Sequence, residues 1–327
     1  MQHPELAHPH DLLVRCFLPD PALMADLLHY YPQNAADQQM VRLLDLKRLE
    51  CKSPVTVSEE LVEQIGDLRF STSFKGSNRP SNVFLLLEHQ SAIDPDFRIR
   101  GLDYIVQAYK EFKKTTKGKR KLPYPVVVVL YHGKVPWEHL PTMDEMIEMT
   151  PGVKTGVLDY QLILIDVSVL SAEQFKGHPV LQAMLEALQL ASKKKLAAEF
   201  SRVIDRLTAI KNDQRIKGWL QSFARYAMSV AKIGTEQIVQ AFSKILNERE
   251  ANTMAMTTAE ELLIKGEAKG RAEAGRNMVL TALRKKFKKV PKGIETAVLA
   301  MSDPVALESL LEHAIDSDTL EEFATVL

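Results

Sequence analysis

The chain has 327 residues, long enough for one sizeable core with an appendage or for two domains. Lys and Arg together number 42, as do Asp and Glu, so formal net charge is zero and no global field draws the molecule onto a polyanion. Binding to nucleic acid would need a local concentration of cations. Two cysteines, Cys16 and Cys51, are too few for a disulfide framework or a thiolate zinc site; they are expected as core or half-buried thiols in a reducing cytosol.

The opening MQHPELAHPHDLL carries neither the basic nor the apolar stretch of a signal peptide, and the longest apolar run, 126–131, is far short of a membrane span. The expectation is a cytoplasmic protein with no membrane association. Residues 10–31 place Leu12, Leu13, Phe17, Leu23, Leu27 and Leu28 at helical spacing, broken by Pro19 and Pro21, which predicts two short helices around a turn. Further short elements are expected at 42–50 and 59–65.

The texture changes after Gly66. Residues 67–75 (DLRFSTSFK) alternate like a half-exposed strand, a polar tract at 76–82 makes a turn, and 83–90 (VFLLLEHQ) is a dense apolar run suited to the middle of a sheet. Together they predict an antiparallel hairpin. Residues 97–114 place Ile99, Leu102, Ile105, Val106 and Tyr109 at helix spacing. Two more buried strands, 125–131 (PVVVVLY) and 160–167 (YQLILIDV), flank a long irregular segment punctuated by proline. This order predicts an α/β domain over 1–175. From 176 the chain reads as helix, with periodic segments at 179–210, 213–231 and 234–249 in a helical region 176–257. Residues 258–276 (TAEELLIKGEAKGRAEAGR) read as an exposed helical linker, and 277–327 as a small unit of three helices. No solenoid repeat is present.

Glu88 carries the chemistry. It ends a buried apolar run, where a lone carboxylate is costly unless it is paired or bound to metal. Alternation puts Glu88 and Gln90 on one face of the strand, with Leu87 and His89 on the other. The hairpin brings the start of the preceding strand, at Asp67, beside Glu88, so the two carboxylates suit one hard divalent cation. The alternative is that Asp67 caps a strand and Glu88 marks an exit into solvent.

Asp67, then LLLEHQS about twenty residues on, then Arg100 and Tyr104, then VVVLYHG and Trp137, resembles the recombination-promoting nuclease and YhgA-like transposase family, itself similar to PD-(D/E)XK enzymes. His10-Asp11, Phe17 and Asp20-Pro21 look like that family's N-terminal motif, and KGEAKGRAEAGRNMVLTALRKKF is similar to its C-terminal appendage. The resemblance implies a restriction-endonuclease-like core of mixed sheet flanked by helices, followed by an all-helical C-terminal region. It also implies a bacterial DNA endonuclease that uses Mg²⁺, with Mn²⁺ as substitute, linked to recombination, mobile elements or defence. Asp67 would be the aspartate of the first motif; Glu88 and Gln90 would be the acid and the terminal polar residue of the second. Gly66 stands where the motif has proline, and Gln90 where it has lysine. Glutamine cannot deprotonate water but can orient it by hydrogen bonding.

Asp11 either completes the metal site or caps its helix. Arg100 and Tyr104, four apart on one helix face, either contact phosphate beside the site or pack on the sheet. His132 is read as fixing a turn rather than as a general base, and Trp137 as a packed loop aromatic. Lys110, Lys113, Lys114, Lys117, Lys119, Arg120 and Lys121 form the local cationic run that could follow a DNA backbone, or else a solvated helix end. Residues 284–289 (RKKFKK) read as a solvated helix side. No helix-turn-helix, zinc finger or aromatic RNA-reading motif is visible, so little sequence preference is expected. The alternative to an enzyme is a catalytically weak DNA-binding or protein-interaction module of the same fold. A homodimer through the helical region is expected, because its amphipathic segments exceed what a small sheet can cover.

Overall fold

Four consecutive valines at 126–129 are fully buried, and that dictates where their strand lies. Each buried side chain of this kind contributes roughly 1.5–3 kcal/mol, and a strand apolar on both faces belongs inside a sheet with cover on each side. The computed structural model describes residues 9–52, 68–77, 79, 83–116, 121–148 and 159–327. They form two compact units, one within 8–252 and the other over 253–327.

The first unit opens with α1 (Pro9–Phe17), α2 (Pro21–Tyr30) and α3 (Ala35–Leu43). The expected turn between the first two helices is present, with Asp20 accepting from the backbone N–H of Ala22 and Pro21 at the first helical position. The sheet has five strands in sequence order: β1 (Glu50–Lys52), β2 (Leu68–Thr72), β3 (Val83–Gln90), β4 (Tyr124–Tyr131) and β5 (Gln161–Asp166). β1, β2 and β3 pair antiparallel, and β3, β4 and β5 pair parallel, so the sheet is mixed. A parallel neighbour needs a crossover. Between β3 and β4 this is α4 (Phe97–Thr115); between β4 and β5 the chain includes the single turn α5 (Met143–Met146), capped by Thr142 and Glu145.

The hairpin expected from 67–90 is present, with Leu68 opposite Leu87 and Thr72 opposite Val83. β2 is not half-exposed, however. Leu68, Phe70, Ser71 and Thr72 are buried, because β1 lies on its other edge and makes it an interior strand. The Thr72 hydroxyl donates to the carbonyl of Asp45 at 2.6 Å, satisfying one of these buried polar groups. The short element expected at 59–65 and part of the turn at 76–82 lie outside the described residues.

One face of the sheet sits under α4, with Leu86, Val127, Val129, Tyr131 and Leu162 packed with Phe97, Tyr104, Ile105 and Trp137. Gly101 permits this approach. A Cβ there would come within 2.0 Å of the Tyr160 hydroxyl, which donates to the carbonyl of Arg98 at 3.0 Å.

The other face presents Leu85, Leu87, Val126, Val128 and Leu130, all buried. The helices after β5 are α6 (Pro179–Ser192), α7 (Leu196–Asp205), α8 (Ile216–Ala231) and α9 (Thr235–Phe242). The helix expected over 179–210 breaks at Lys194, whose φ of 57° lies in the left-handed region. These helices belong to the same unit as the sheet. α6 is buried almost end to end and touches α1, α7 and α8. Its one buried acid, Glu186, is paired with Arg202 at 3.0 Å and with Arg206, as a buried charge requires. Gln189 donates to the carbonyls of Val167 and Leu170 at 2.7 and 2.8 Å, fastening α6 to the chain leaving β5.

At the end of β3 and β4 this face carries three imidazoles. His89 and His132 bond through their Nε2 atoms at 2.6 Å, His132 Nδ1 bonds the Ser192 hydroxyl at 2.9 Å, and His10 Nδ1 bonds the Tyr226 hydroxyl at 2.8 Å. The rings of His10 and His132 lie 4.8 Å apart. A pair of imidazoles sharing one proton between nitrogens must be neutral at least at one end, and burial enforces this. It lowers His10, brings His89 to about 4, and holds His132 well below its ordinary value; neighbouring imidazoles push His89 and His132 further down. Asp11 acts upward on His89 and Arg15 downward.

The second unit holds all but the first five residues of α10 (Glu248–Phe287), with α11 (Lys292–Ala300), α12 (Pro304–Asp316) and α13 (Leu320–Ala324). α10 is one continuous 40-residue helix, so the stretch 258–276 is the middle of a helix. Val279, Leu280, Leu283, Val298, Leu310, Ala314 and Phe323 make a separate small core in 277–327. Cys51 is half-buried as expected, but Cys16 is exposed: it lies on the solvent side of α1, whose buried face is Leu13, Val14 and Phe17. Among the described residues no helix is long and apolar enough to cross a membrane.

Two outcomes follow from this packing. Gly101→Ala should cost about 1–3 kcal/mol, as other overpacked sites do, seen as a lower urea midpoint with an unchanged slope; an unchanged midpoint would contradict the close approach. The second concerns pH. Histidines whose folded pKa is depressed leave stability intact above about 6.5, and stability falls as pH drops below that value and the unfolded chain takes up protons. An imidazole still neutral at pH 5 costs about 2 kcal/mol there. The urea midpoint should therefore drop between pH 7 and pH 5, above the range where carboxylates titrate, and a flat midpoint would contradict buried neutral histidines.

Candidate active site

The end of β3 is where polar side chains enter the apolar layer under α4. Leu86 points into that layer, and two residues on, Glu88 occupies the same side at 9 % exposure. Its Oε1 receives two hydrogen bonds. Gln90, next along that side of the strand, donates from Nε2 at 3.0 Å, and Tyr104, from the second turn of α4, donates from its hydroxyl at 3.3 Å.

Arg100, one turn before Tyr104, places a terminal nitrogen 3.7 Å from the same oxygen, while its other terminal nitrogen pairs with Asp94 at 2.8 Å. Its guanidinium lies over the Phe97 ring, 4.9 Å from the centroid. Arg100 Nε and the terminal nitrogen facing Glu88 are buried and have no hydrogen-bond partner among the described residues. These are two N–H donors beside a carboxylate, on a side chain 37 % exposed, an arrangement suited to a phosphate oxygen.

The structure thus brings Glu88, Gln90, Arg100 and Tyr104 together on one side of the sheet. Asp67 lies outside the described residues, but Leu68, which follows it in sequence, pairs with Leu87, which precedes Glu88. Asp11 does not join the group in its described contacts. It accepts from Arg15 Nε on both carboxylate oxygens, at 2.9 and 3.0 Å, and sits beside the imidazoles of the opposite face. Among the described residues no group of three His, Cys, Asp or Glu side chains could hold a metal ion, so any such site needs a further ligand.

Of the cationic run, Lys110, Lys113 and Lys114 border an open apolar groove of about 430 Å³ with Val106, Tyr109 and Leu122. None of the three is paired with an acid among the described residues, and Lys121 is exposed. Lys117, Lys119 and Arg120 lie outside the described residues. Along the basic stretch at 284–289, Arg284 pairs with Glu295 at 2.8 Å and Lys286 donates to the carbonyl of Ile315.

His132 and Trp137 both take the places expected of them, one at a turn and the other packed in a loop. His132 is fully buried and hydrogen-bonded to His89 and Ser192; its backbone N–H donates to the carbonyl of Gln90 at 3.1 Å, so it fixes the turn after β4 and also ties β3 to α6. Trp137 is packed against Tyr131 and Phe97, its backbone N–H bonded to Asp166 at 2.8 Å. The imidazole cluster as a unit was not anticipated. Only the alternation that sends His89 to the face opposite Glu88 pointed to it; the approach of His10 and His132 is tertiary.

The chain matches the family described as "Putative transposase, YhgA-like" over residues 8–217. It is 25 % identical over 228 residues to the recombination-promoting nuclease RpnA of Escherichia coli (strain K12), covering 67 % of this chain and 72 % of that protein. It is 23 % identical over 250 residues to the recombination-promoting nuclease RpnC of the same organism, covering 76 % and 79 %. No solved structure matches it significantly. The matched span contains the whole sheet and the cluster around Glu88, and on that basis the chain belongs to the YhgA-like transposase family.

Proposed function

We propose that this protein is a metal-dependent DNA endonuclease that cuts with little sequence preference and serves recombination, with Glu88 at its centre. The observation that carries the reading is a nearly buried carboxylate held by two side-chain donors and flanked by an arginine with unused donors. An acid in an apolar layer needs such partners or a cation. The names of the two relatives support nuclease chemistry, and DNA is the substrate it implies.

The donor chemistry fits a hard divalent cation, since carboxylate oxygen is what Mg²⁺ and Mn²⁺ take. Glu88 and Asp67 would hold it; one strand pairing separates their sequence neighbours Leu87 and Leu68. When bound, such an ion lowers the pKa of a coordinated water and offsets charge on the scissile phosphate. Arg100 offers its Nε and terminal N–H groups to a phosphate oxygen, and its ion pair with Asp94 fixes the direction of the fork. Asp11, engaged by Arg15, stays outside this set. Lys113, Lys114 and Lys121, with Lys117, Lys119 and Arg120 in the same run, supply sequence-independent contacts to the DNA backbone.

A second reading, a DNA-binding or interaction module without turnover, is favoured by one feature: the uncharged Gln90. The two separate in a plasmid-nicking assay with Mg²⁺ and with EDTA. The wild type should nick only with the cation, and Glu88→Ala and Asp67→Ala should fall to background. Arg100→Ala should keep the cation requirement but lose on the order of 10² in rate, the scale seen when a single charge-stabilising donor is removed. Equal nicking by wild type and Glu88→Ala would sink the assignment, and retained DNA binding with no nicking would favour the second reading.

A further inference from the structure

We propose that Gln90, together with Tyr104, is a positioning residue that acts through Glu88 rather than on water or phosphate. The proposal rests on the reading of Glu88 as a cation ligand and adds a role for the residue that replaces lysine.

Gln90 Nε2 and the Tyr104 hydroxyl converge on one atom, Glu88 Oε1, at 3.0 and 3.3 Å. Only the nitrogen end of the amide can donate to a carboxylate oxygen, so this contact also sets which way the amide faces. The terminal torsion of a glutamate is soft and two-fold, and left alone the carboxylate exchanges its oxygens. Two donors on the same oxygen end that exchange and fix the plane of the group. A cation then meets a carboxylate of one orientation, and the cost of ordering is met when the protein folds.

Charge explains why glutamine can stand here. Arg100 already places a guanidinium nitrogen 3.7 Å from Glu88 Oε1. A lysine at 90 would add a second cation on the same side of β3. A neutral donor orients Glu88 without a further charge. Tyr104 suits its part for the same reason, being a residue at 6 % exposure whose hydroxyl donates to Glu88 without adding charge. Removal of partners that orient a metal ligand typically weakens metal affinity by 10–100-fold.

The test uses the full chain and Mn²⁺ as probe, with affinity measured by calorimetry and melting temperature measured without metal. In Tyr104→Phe and Gln90→Met, the Mn²⁺ dissociation constant should rise 10–100-fold while the metal-free melting temperature stays within a few degrees of wild type. In the double variant the loss should be smaller than the product of the single losses, because both act on one oxygen. Nicking by the single variants should return close to wild type at saturating Mg²⁺. If the wild type binds Mn²⁺ and both variants bind it equally well, this inference fails while the site reading stands. If cleavage by Gln90→Met stays low however much Mg²⁺ is added, Gln90 acts on the reacting groups and the inference is overturned. A wild type that binds no cation overturns both.

Discussion

A carboxylate at the inner end of an apolar strand is the constraint on which the rest depends. β3 is interior to the sheet, and Glu88 sits at 9 % exposure where the alternation of Phe84 and Leu86 leads. Burial there is unfavourable without compensation, and the first two turns of α4 are composed to provide it. Arg100 and Tyr104 both reach Glu88 Oε1, and Gly101 between them leaves room for the Tyr160 hydroxyl. The same helix therefore covers the core and supplies the polar partners of the acid.

The opposite face solves a matching problem by other means. His89 follows Glu88 and must point away from it, into helices rather than solvent. Its bond to His132, and the bond from His132 to Ser192, join the ends of β3 and β4 to α6. Neutral imidazoles allow a polar link through a dry layer without a buried charge. The strand that carries the candidate acid is thus held from below by uncharged hydrogen bonds and from above by charged and polar ones.

Much of this was legible beforehand. The continuous apolar runs at 83–90 and 125–131 announced interior strands, because a strand covered on both faces has no polar alternation to show. Strand parity alone placed Glu88 with Gln90, and helix spacing placed Arg100 with Tyr104. Other features were hidden for physical reasons. The burial of Ser71 and Thr72 depends on β1, a three-residue strand with no signal of its own. The break at Lys194 needs a left-handed backbone that the lysine does not advertise. The meeting of His10, His89 and His132 joins three segments far apart in the chain, which no local pattern encodes. Asp11, which by type suited either a ligand or a helix cap, pairs with Arg15 one turn on, an i,i+4 contact that helix spacing already allows.

The central claim is that Glu88 is held ready for a divalent cation. The most direct measurement is a crystal structure of the protein grown with Mn²⁺, with anomalous scattering recorded at the manganese edge. The account predicts a peak within coordination distance of Glu88, with Asp67 as a second ligand and Gln90 and Tyr104 still bonded to Oε1. Crystals that hold Mn²⁺ elsewhere, or none at all beside Glu88, would contradict it.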